Sequence, residues 1–228
     1  MKNHDAFLEC KELKKHFRSG GKDTLVINGL NLQVHRGEIV VIYGRSGAGK
    51  STLIGLLAGL ERPTSGEVTM EKNSYGVLSN EELALLRYRK MGIIFQNFNL
   101  LSSWTAFENV QTSLMHRGLS KKDQRGKIEA LLNELGMNTK YNNLPSELSI
   151  GEQQRVAVAR ALVSEPELIL ADEPAGYVDA ETGQAIINYL VAAVRKKNAA
   201  MVLVTHGEEL LNIGDVVLKL ENGNLISY

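Results

Sequence analysis

The segment Gly44-Arg45-Ser46-Gly47-Ala48-Gly49-Lys50-Ser51-Thr52 matches the pattern G-x-x-x-x-G-K-[ST] at every fixed position. Residues 38–43 before it are mostly apolar and β-branched and predict a buried strand, while residues 53–59 after it predict a helix. A glycine loop between a strand and a helix is the context in which this pattern binds phosphate groups. A glycine-rich turn without a ligand is the alternative, and the flanking elements argue against it.

The residue types in this loop suit the phosphates of a nucleotide. Glycines let the backbone close round an anion with its N–H groups pointing inward, at a helix N-terminus whose dipole favours negative charge. We expect Lys50 to reach the β- and γ-phosphates and Thr52 to contact the α-phosphate side. The hydroxyl of Ser51 is placed to bind Mg²⁺. The loop therefore predicts ATP and Mg²⁺ as ligands.

The composition favours a single folded domain and argues against some classes of partner. With 228 residues and 43% hydrophobic residues, the chain can bury a substantial core. Lys+Arg and Asp+Glu both number 26, so no overall positive charge indicates nucleic acid as a partner. Cys10 is the only cysteine, which excludes an internal disulfide. Neither a secretion signal nor a stretch of about 18 apolar residues is present, which predicts a soluble or peripheral protein.

The order of predicted elements indicates an α/β fold with a parallel sheet around the phosphate loop. Short apolar runs at residues 7–10 and 30–34, with a turn at residues 19–21 between them, predict an antiparallel β layer at the N-terminus. Downstream of residue 150, helices and strands alternate, and the chain closes with a hairpin around residues 221–224. This alternation is typical of a parallel sheet.

An inserted helical subdomain is predicted in the middle of the chain. Leucine and methionine recur at helical spacing among many charged residues from residue 81 to about residue 136. Together with the helix that follows, we place the helical subdomain at about residues 97–163. The whole chain, residues 1–228, is expected to be one domain.

Two carboxylates follow another predicted strand. Residues 168–171 are apolar and lead directly into Asp172 and Glu173, and active sites of open α/β sheets lie at the carboxyl ends of strands. We predict that Asp172 holds Mg²⁺ and that Glu173 orients and polarises the water that attacks the γ-phosphate. Capping of a helix N-terminus is the alternative role for this pair, and the phosphate loop favours catalysis.

Three further residues are candidates for the same site. His206 follows the apolar strand predicted at residues 201–205 and can act as a sensor of the γ-phosphate. Gln96 follows the strand predicted at residues 92–95 and can complete the shell of Mg²⁺ and water. Phe17 lies in the N-terminal layer, where its ring can stack on adenine, a core position being the alternative.

The segment Leu148-Ser149-Ile150-Gly151-Glu152-Gln153-Gln154-Arg155 resembles the signature sequence of ABC transporter nucleotide-binding subunits. The resemblance, taken with the motifs above, covers nearly the whole chain. Residues 95–101 and 105–110 are similar to segments of the bacterial ATPases of the macrolide-exporter and lipoprotein-release type. The resemblance implies an ATP-hydrolysing subunit on the cytoplasmic face of the bacterial inner membrane, driving a membrane permease.

The resemblance also implies a head-to-tail dimer, with each ATP held between one phosphate loop and the partner's signature segment. Ser149, Gly151 and Glu152 would then act on the ATP of the other copy, at the start of a helix with free N–H groups. Asp179 would belong to the loop that crosses the dimer. The partner would be a second copy of this chain or a related ATPase. Residues 100–104 lie where the family docks its membrane chain, with Trp104 as an anchor or, alternatively, as part of the helical subdomain.

Two departures from the family pattern bear on activity. Ile150 stands where the signature usually has its first glycine, and its β-branched side chain adds bulk near the partner's phosphates. Tyr177 and Val178 stand where the family usually has asparagine and leucine before the aspartate. These changes predict slower turnover or a different partner subunit. They also keep open a second hypothesis, an ATP-switched regulatory module with weak hydrolysis.

Overall fold

A computed structural model of the chain describes residues 6–228. Within them the strands are β1 (Leu8–Ser19), β2 (Lys22–Val34), β3 (Ile39–Tyr43), β4 (Ser65–Met70), β5 (Asn73–Ser74), β6 (Met91–Ile94), β7 (Leu168–Asp172), β8 (Ala200–Thr205), β9 (Val216–Glu221) and β10 (Asn224–Ser227). The α-helices are α1 (Lys50–Leu57), α2 (Asn80–Lys90), α3 (Ala106–Gln111), α4 (Lys121–Glu134), α5 (Ile150–Leu162) and α6 (Ala180–Lys197). Within residues 6–228, no helix has the length and apolar composition that a membrane crossing requires.

The strands form two sheets. An antiparallel sheet has the order β2-β1-β4-β5, and a second sheet has the order β10-β9-β3-β8-β7-β6. In the second sheet β9, β3, β8, β7 and β6 are parallel, and β10 adds an antiparallel edge. The predicted α/β fold is therefore confirmed, with its parallel sheet and its antiparallel N-terminal layer.

Strand β3 shows how the parallel sheet separates two layers of core. Residues 39–42 are fully buried, and alternate side chains of a strand point to opposite faces. Val40 and Ile42 join the cluster formed with α1 and the antiparallel sheet, while Ile39 and Val41 join the cluster formed with α3 to α6. Burial on both faces explains why this strand is a continuous apolar run.

The helical insertion begins later than the periodicity of the sequence indicates. Helix α2 packs through Leu83 against the core of α1 and the antiparallel sheet, and the chain then returns to the parallel sheet as β6. Helices α3, α4 and α5 contact one another around Val110, Ile128 and Val158 on the opposite face. The start of helical spacing at residue 81 thus belongs to a helix of the sheet core, and the insertion follows β6.

Two element boundaries differ from prediction for identifiable reasons. Helix α1 starts at Lys50 instead of residue 53, because the phosphate loop turns directly into the helix at Gly49. In the N-terminal layer the short apolar runs belong to two long strands, β1 and β2. Shifts of register, such as the one between Cys10 and Leu13, interrupt their apolar alternation and hide their length from the sequence pattern.

Gly92 of β6 packs directly on the backbone of α5. A Cβ at this position would lie 2.3 Å from the carbonyl oxygen of Ala161, so strand or helix would have to move. We expect Gly92→Ala to lower the free energy of unfolding by about 2–4 kcal/mol in urea denaturation. Gly126→Ala in α4 is the matched control, since nothing lies within 4 Å of its added methyl group, and it should gain about 1 kcal/mol. Equal stability of the two variants would contradict this packing.

Candidate active site

The phosphate loop is closed by glycines and by the hairpin of β1 and β2. Gly47 and Gly49 have φ of +78° and +100°, which favours glycine. A Cβ at Gly49 would lie 2.9 Å from the side chain of Val26, so the hairpin packs directly against the loop. Among the described residues, no side chain caps α1 at Gly49. The first N–H groups of α1 are therefore left for an anion.

The rest of the loop is open on one side. Arg45, Ser46, Gly47 and Ser51 are exposed, and Ala48, Gly49 and Thr52 are half-buried. Gly44, in contrast, is buried, and its N–H donates to the carbonyl of Thr205 at 3.0 Å. The loop is thus anchored to β8 at its start and leaves the hydroxyl of Ser51 accessible.

Lys50 is buried and its ammonium group is fully engaged. Its Nζ donates to the carbonyl oxygens of Gly44 and Arg45 at 2.8 and 3.1 Å and lies 3.2 Å from Oε1 of Glu173. The side chain is only 6% exposed, where an unpaired charge would be costly. A phosphate group that binds Lys50 therefore competes with the carboxylate of Glu173.

Glu173 joins Lys50 to His206. It follows β7 with φ of +49°, a left-handed conformation that is uncommon outside glycine and often found at functional sites. Its N–H donates to the carbonyl of Val204 at 3.0 Å, which holds this turn against β8. Its Oε2 lies 2.7 Å from Nδ1 of His206. The structure thus brings together three of the residues predicted from separate motifs.

His206 is the exposed member of this group. Its contact with a carboxylate requires the proton on Nδ1, so Nε2 is the nitrogen left for another partner. A cavity of about 120 Å³ opens beside it, lined among others by Glu173, Thr205 and Leu210. The ring therefore lies between a fixed carboxylate and an open space.

Asp172 presents a buried carboxylate oxygen without a partner. The residue is 6% exposed, and its Oδ1 accepts no hydrogen bond from residues 6–228. Burial raises the pKa of this carboxyl; the nearby Glu173 carboxylate adds to the rise, while Ser51 and Lys50 oppose it. An unsatisfied buried oxygen beside a serine hydroxyl is a donor set that suits a hard divalent cation. These residues therefore fit Mg²⁺.

Gln96 lies in a loop that is tied to two neighbouring elements. Its Nε2 donates to the hydroxyl of Tyr177 at 3.2 Å, and the ring of Phe98 meets the ring of Tyr177 edge-on at 6.4 Å. The guanidinium of Arg160 donates to the carbonyls of Phe98 and Asn99 at 2.6 and 2.5 Å. The loop is therefore fixed to α5 and to the segment after Glu173. No local pattern of residues indicates this role for Tyr177 or Arg160.

Helix α5 begins with a reciprocal cap. The hydroxyl of Ser149 accepts the N–H of Glu152 at 3.3 Å, and Oε2 of Glu152 accepts the N–H of Ser149 at 2.8 Å. Ile150 in the first turn is exposed. Behind it, a Cβ at Gly151 would lie 3.4 Å from the side chain of Thr182 on α6. Glu152 therefore has a capping role, and the turn that it stabilises presents Ile150 and the helix start to the outside.

Helix α6 begins beside α5 with a similar cap. Oδ1 of Asp179 accepts the N–H of Thr182 at 2.9 Å, and hydrogen bonding from Thr182 lowers the pKa of this carboxyl. Gln154, buried on α5, donates to the carbonyl of Pro174 at 2.6 Å. The segment between Glu173 and Asp179 is thus held by α5, and Gln154 is a residue within the quoted signature segment whose role was not predicted.

Phe17 lies on the hairpin that packs on the phosphate loop. Phe17 is 38% exposed, and the ammonium of Lys15 lies 4.9 Å from the centre of its ring. A core position is therefore wrong for this side chain. Stacking on adenine stays a prediction, and the exposed ring is available for it.

A rigid loop before α3 exposes two large apolar side chains. Leu101 and Trp104 are both exposed, while Asn109 beneath them is fully buried. The Asn109 amide accepts the N–H of Leu101 at 2.7 Å and donates to the carbonyls of Leu101 and Trp104 at 3.1 and 2.9 Å. These bonds fix the backbone and hold the apolar side chains at the surface.

Comparisons with known proteins bear on the family and the fold of the chain. A family model described as ABC transporter matches residues 27–176. The lipoprotein-releasing system ATP-binding protein LolD of Rickettsia bellii is 39% identical over 218 residues, 96% of each chain. The macrolide export ATP-binding/permease protein MacB of Campylobacter fetus is 37% identical over 220 residues, 96% of this chain but 34% of MacB. The dimeric post-hydrolysis structure of the ATP-binding cassette MJ0796 bound to ADP and Pi has a TM-score of 0.91 at 34% identity, covering 96% of both chains.

Asp172→Asn tests whether the buried carboxylate is kept for a cation. Burial raises the pKa of the Asp172 carboxyl above its ordinary 3.8. At a pH above this raised pKa, the ionised carboxylate therefore lowers the free energy of unfolding, and this loss of stability disappears below about pH 4. We expect the variant, without nucleotide, to have a higher Tm than the wild type at pH 7, and the difference to shrink as the pH falls towards 4.

Measuring the Tm of both proteins by calorimetry in the presence of ATP provides the second half of this test. Addition of Mg²⁺ should raise the Tm of the ATP-bound wild type and should raise that of Asp172→Asn by less. A response to Mg²⁺ that is the same in both proteins would contradict a cation at this carboxylate.

Proposed function

Because the chain belongs to the ABC transporter family and is an ATPase of that family, we propose that it powers a bacterial complex for export or for release of lipoproteins. In this proposal two copies bind two ATP molecules head to tail and drive a membrane permease from the cytoplasmic face of the inner membrane. LolD and MacB, named for lipoprotein release and macrolide export, support this choice. The observation that carries the hydrolytic role is the contact of Glu173 with both Lys50 and His206.

Binding of ATP is assigned to the phosphate loop. The N–H groups at the start of α1 and the ammonium of Lys50 surround the phosphates, and Phe17 stacks on the adenine. Ser51, Asp172 and Gln96 are the residues that would hold Mg²⁺. When bound, Mg²⁺ supplies positive charge that neutralises the charge developing on the phosphates. Binding of the γ-phosphate to Lys50 weakens the ion pair between Lys50 and Glu173.

Hydrolysis is assigned to Glu173 and His206. The carboxylate of Glu173 accepts a hydrogen bond from a water molecule and orients its oxygen towards the γ-phosphorus. The bond from water oxygen to phosphorus forms as the bond to the leaving ADP oxygen breaks. His206 is fixed at Nδ1 by Glu173 and uses Nε2 to contact the γ-phosphate. The products are ADP and phosphate.

The second copy supplies the opposite wall of each site. The exposed start of α5, with Ser149 and Gly151, faces the γ-phosphate bound by the other copy, and the cap by Glu152 keeps this turn in place. Asp179 at the start of α6 lies in the loop that crosses the dimer. Ile150 enters the same interface, which favours slower turnover than a glycine would allow.

The membrane partner is assigned to the loop surface formed by Leu101 and Trp104. Large apolar and aromatic side chains on a fixed backbone are typical anchors of protein interfaces, and the buried Asn109 supplies that fixed backbone. Nucleic acid is not proposed as a partner, since the chain has no net charge.

Glu173→Gln separates ATP binding from hydrolysis. The amide keeps the size of the side chain but cannot polarise water as a carboxylate does, so we expect kcat to fall by about 10²-fold or more with ATP still bound. Lys50→Ala should instead weaken ATP binding by about tenfold or more. Phosphate release and titration with a fluorescent ATP analogue measure the two effects.

Glu129→Gln is the control for these assays, because Glu129 forms a surface ion pair with Arg125 of the same helix, α4, and should keep the wild-type rate. Undiminished turnover of Glu173→Gln would overturn the role of Glu173. A wild-type chain that binds ATP with no steady hydrolysis would favour the regulatory module over the motor.

Co-purification tests the membrane partner. Tagged Glu173→Gln protein extracted from native membranes in mild detergent with ATP should retain an integral membrane protein, identified by mass spectrometry. Adding Trp104→Ala should reduce that recovery, whereas Tyr228→Ala, which removes another exposed aromatic ring, should not. Recovery of soluble proteins alone would contradict a permease partner.

A further inference from the structure

Tyr177 is exposed and yet makes two directed contacts. The residue is 53% exposed, and its hydroxyl accepts a hydrogen bond from Nε2 of Gln96 at 3.2 Å. Its ring meets that of Phe98 edge-on, with centroids 6.4 Å apart and planes at 84°. Since burial does not fix this side chain, these contacts with the loop after β6 define its orientation.

The loop after β6, which Tyr177 contacts, is itself fixed. Phe98 and Asn99 have φ of +59° and +47°, and their carbonyls accept hydrogen bonds from Arg160 at 2.6 and 2.5 Å. Arg160 is half-buried on α5, a helix whose Val156 and Val158 are buried in the core of the helical insertion. The ring of Phe98 is therefore held in place by the backbone of its loop, and it can hold the ring of Tyr177.

Tyr177 is also placed by fixed points on its own segment. Glu173 before it contacts Lys50 and His206, and the carbonyl of Pro174 accepts a hydrogen bond from Gln154 of α5. After it, Asp179 caps α6. The hydroxyl of Tyr177 therefore occupies a defined position relative to both the hydrolytic residues and the loop proposed to cross the dimer.

We infer that Tyr177 is a positioning residue that orients Gln96 for Mg²⁺, an inference that rests on the proposed role of Gln96 as a ligand. A glutamine side chain has several rotatable bonds, and ordering it on a metal ion costs conformational entropy. The hydroxyl of Tyr177 engages the amide nitrogen, which leaves the amide oxygen Oε1 as the end available to the cation. A hydrogen bond of this kind changes affinity by about 2- to 10-fold.

The test measures the affinity for ATP at equilibrium in the Glu173→Gln background, once with Mg²⁺ and once with excess EDTA. Tyr177→Phe removes the hydroxyl and keeps the ring on Phe98. We expect its affinity with Mg²⁺ to fall by about 2- to 10-fold and its affinity in EDTA to stay unchanged. Tyr189→Phe, which removes a hydroxyl that donates to Glu134 at the end of α4, should change neither value.

Gln96→Ala distinguishes failure of this inference from failure of the proposed site. If Gln96 is a ligand and Tyr177 acts through it, Gln96→Ala loses affinity only with Mg²⁺, and adding Tyr177→Phe causes no further loss. If Gln96→Ala leaves the increase in ATP affinity caused by Mg²⁺ unchanged, the proposed role of Gln96 is wrong and so is the inference about Tyr177. If Gln96→Ala loses that gain while Tyr177→Phe keeps it, or if the two losses add, the role of Gln96 stands and the inference is overturned.

Discussion

The buried ammonium group of Lys50 is the charge around which the site is arranged. It is paired with two carbonyls of its own loop and with the carboxylate of Glu173, and without these partners its burial would be costly. The order β3-β8-β7 in the sheet satisfies this requirement. Lys50 follows β3, Glu173 follows β7, and His206 follows the strand between them, so their side chains meet at one edge.

The residues that meet at the candidate site have local signals in the sequence, whereas their contacts do not. Asp172 ends an apolar strand, and Glu173 and His206 each come directly after one, which is a local signal that needs no knowledge of the fold. The contact of Gln96 with Tyr177 joins residues 81 positions apart, and nothing in either neighbourhood specifies it. Contacts of this kind depend on strand order and on loop geometry, which the chain acquires only when the core packs.

The helical spacing that starts at residue 81 shows the same limit of a local pattern, since it begins in α2, before the insertion. Helical periodicity identifies a buried face but not the surface that it meets, so α2 and α3 look alike in the sequence. Leu83 of α2 packs towards the antiparallel sheet, while Val110 of α3 packs with the insertion.

The packed core also offsets energetic costs within the site, since Glu173 is held in a left-handed conformation and Asp172 keeps an unsatisfied buried oxygen.

In the proposed dimer, one copy of the chain holds only half of each working site. The most direct test of this arrangement is a structure of the Glu173→Gln protein with ATP and Mg²⁺. We predict two copies related head to tail, with Ser149 and Gly151 of one copy against the γ-phosphate that Lys50 of the other copy binds. A structure in which a single copy encloses ATP, with the start of α5 away from any phosphate, would contradict a site shared between two copies.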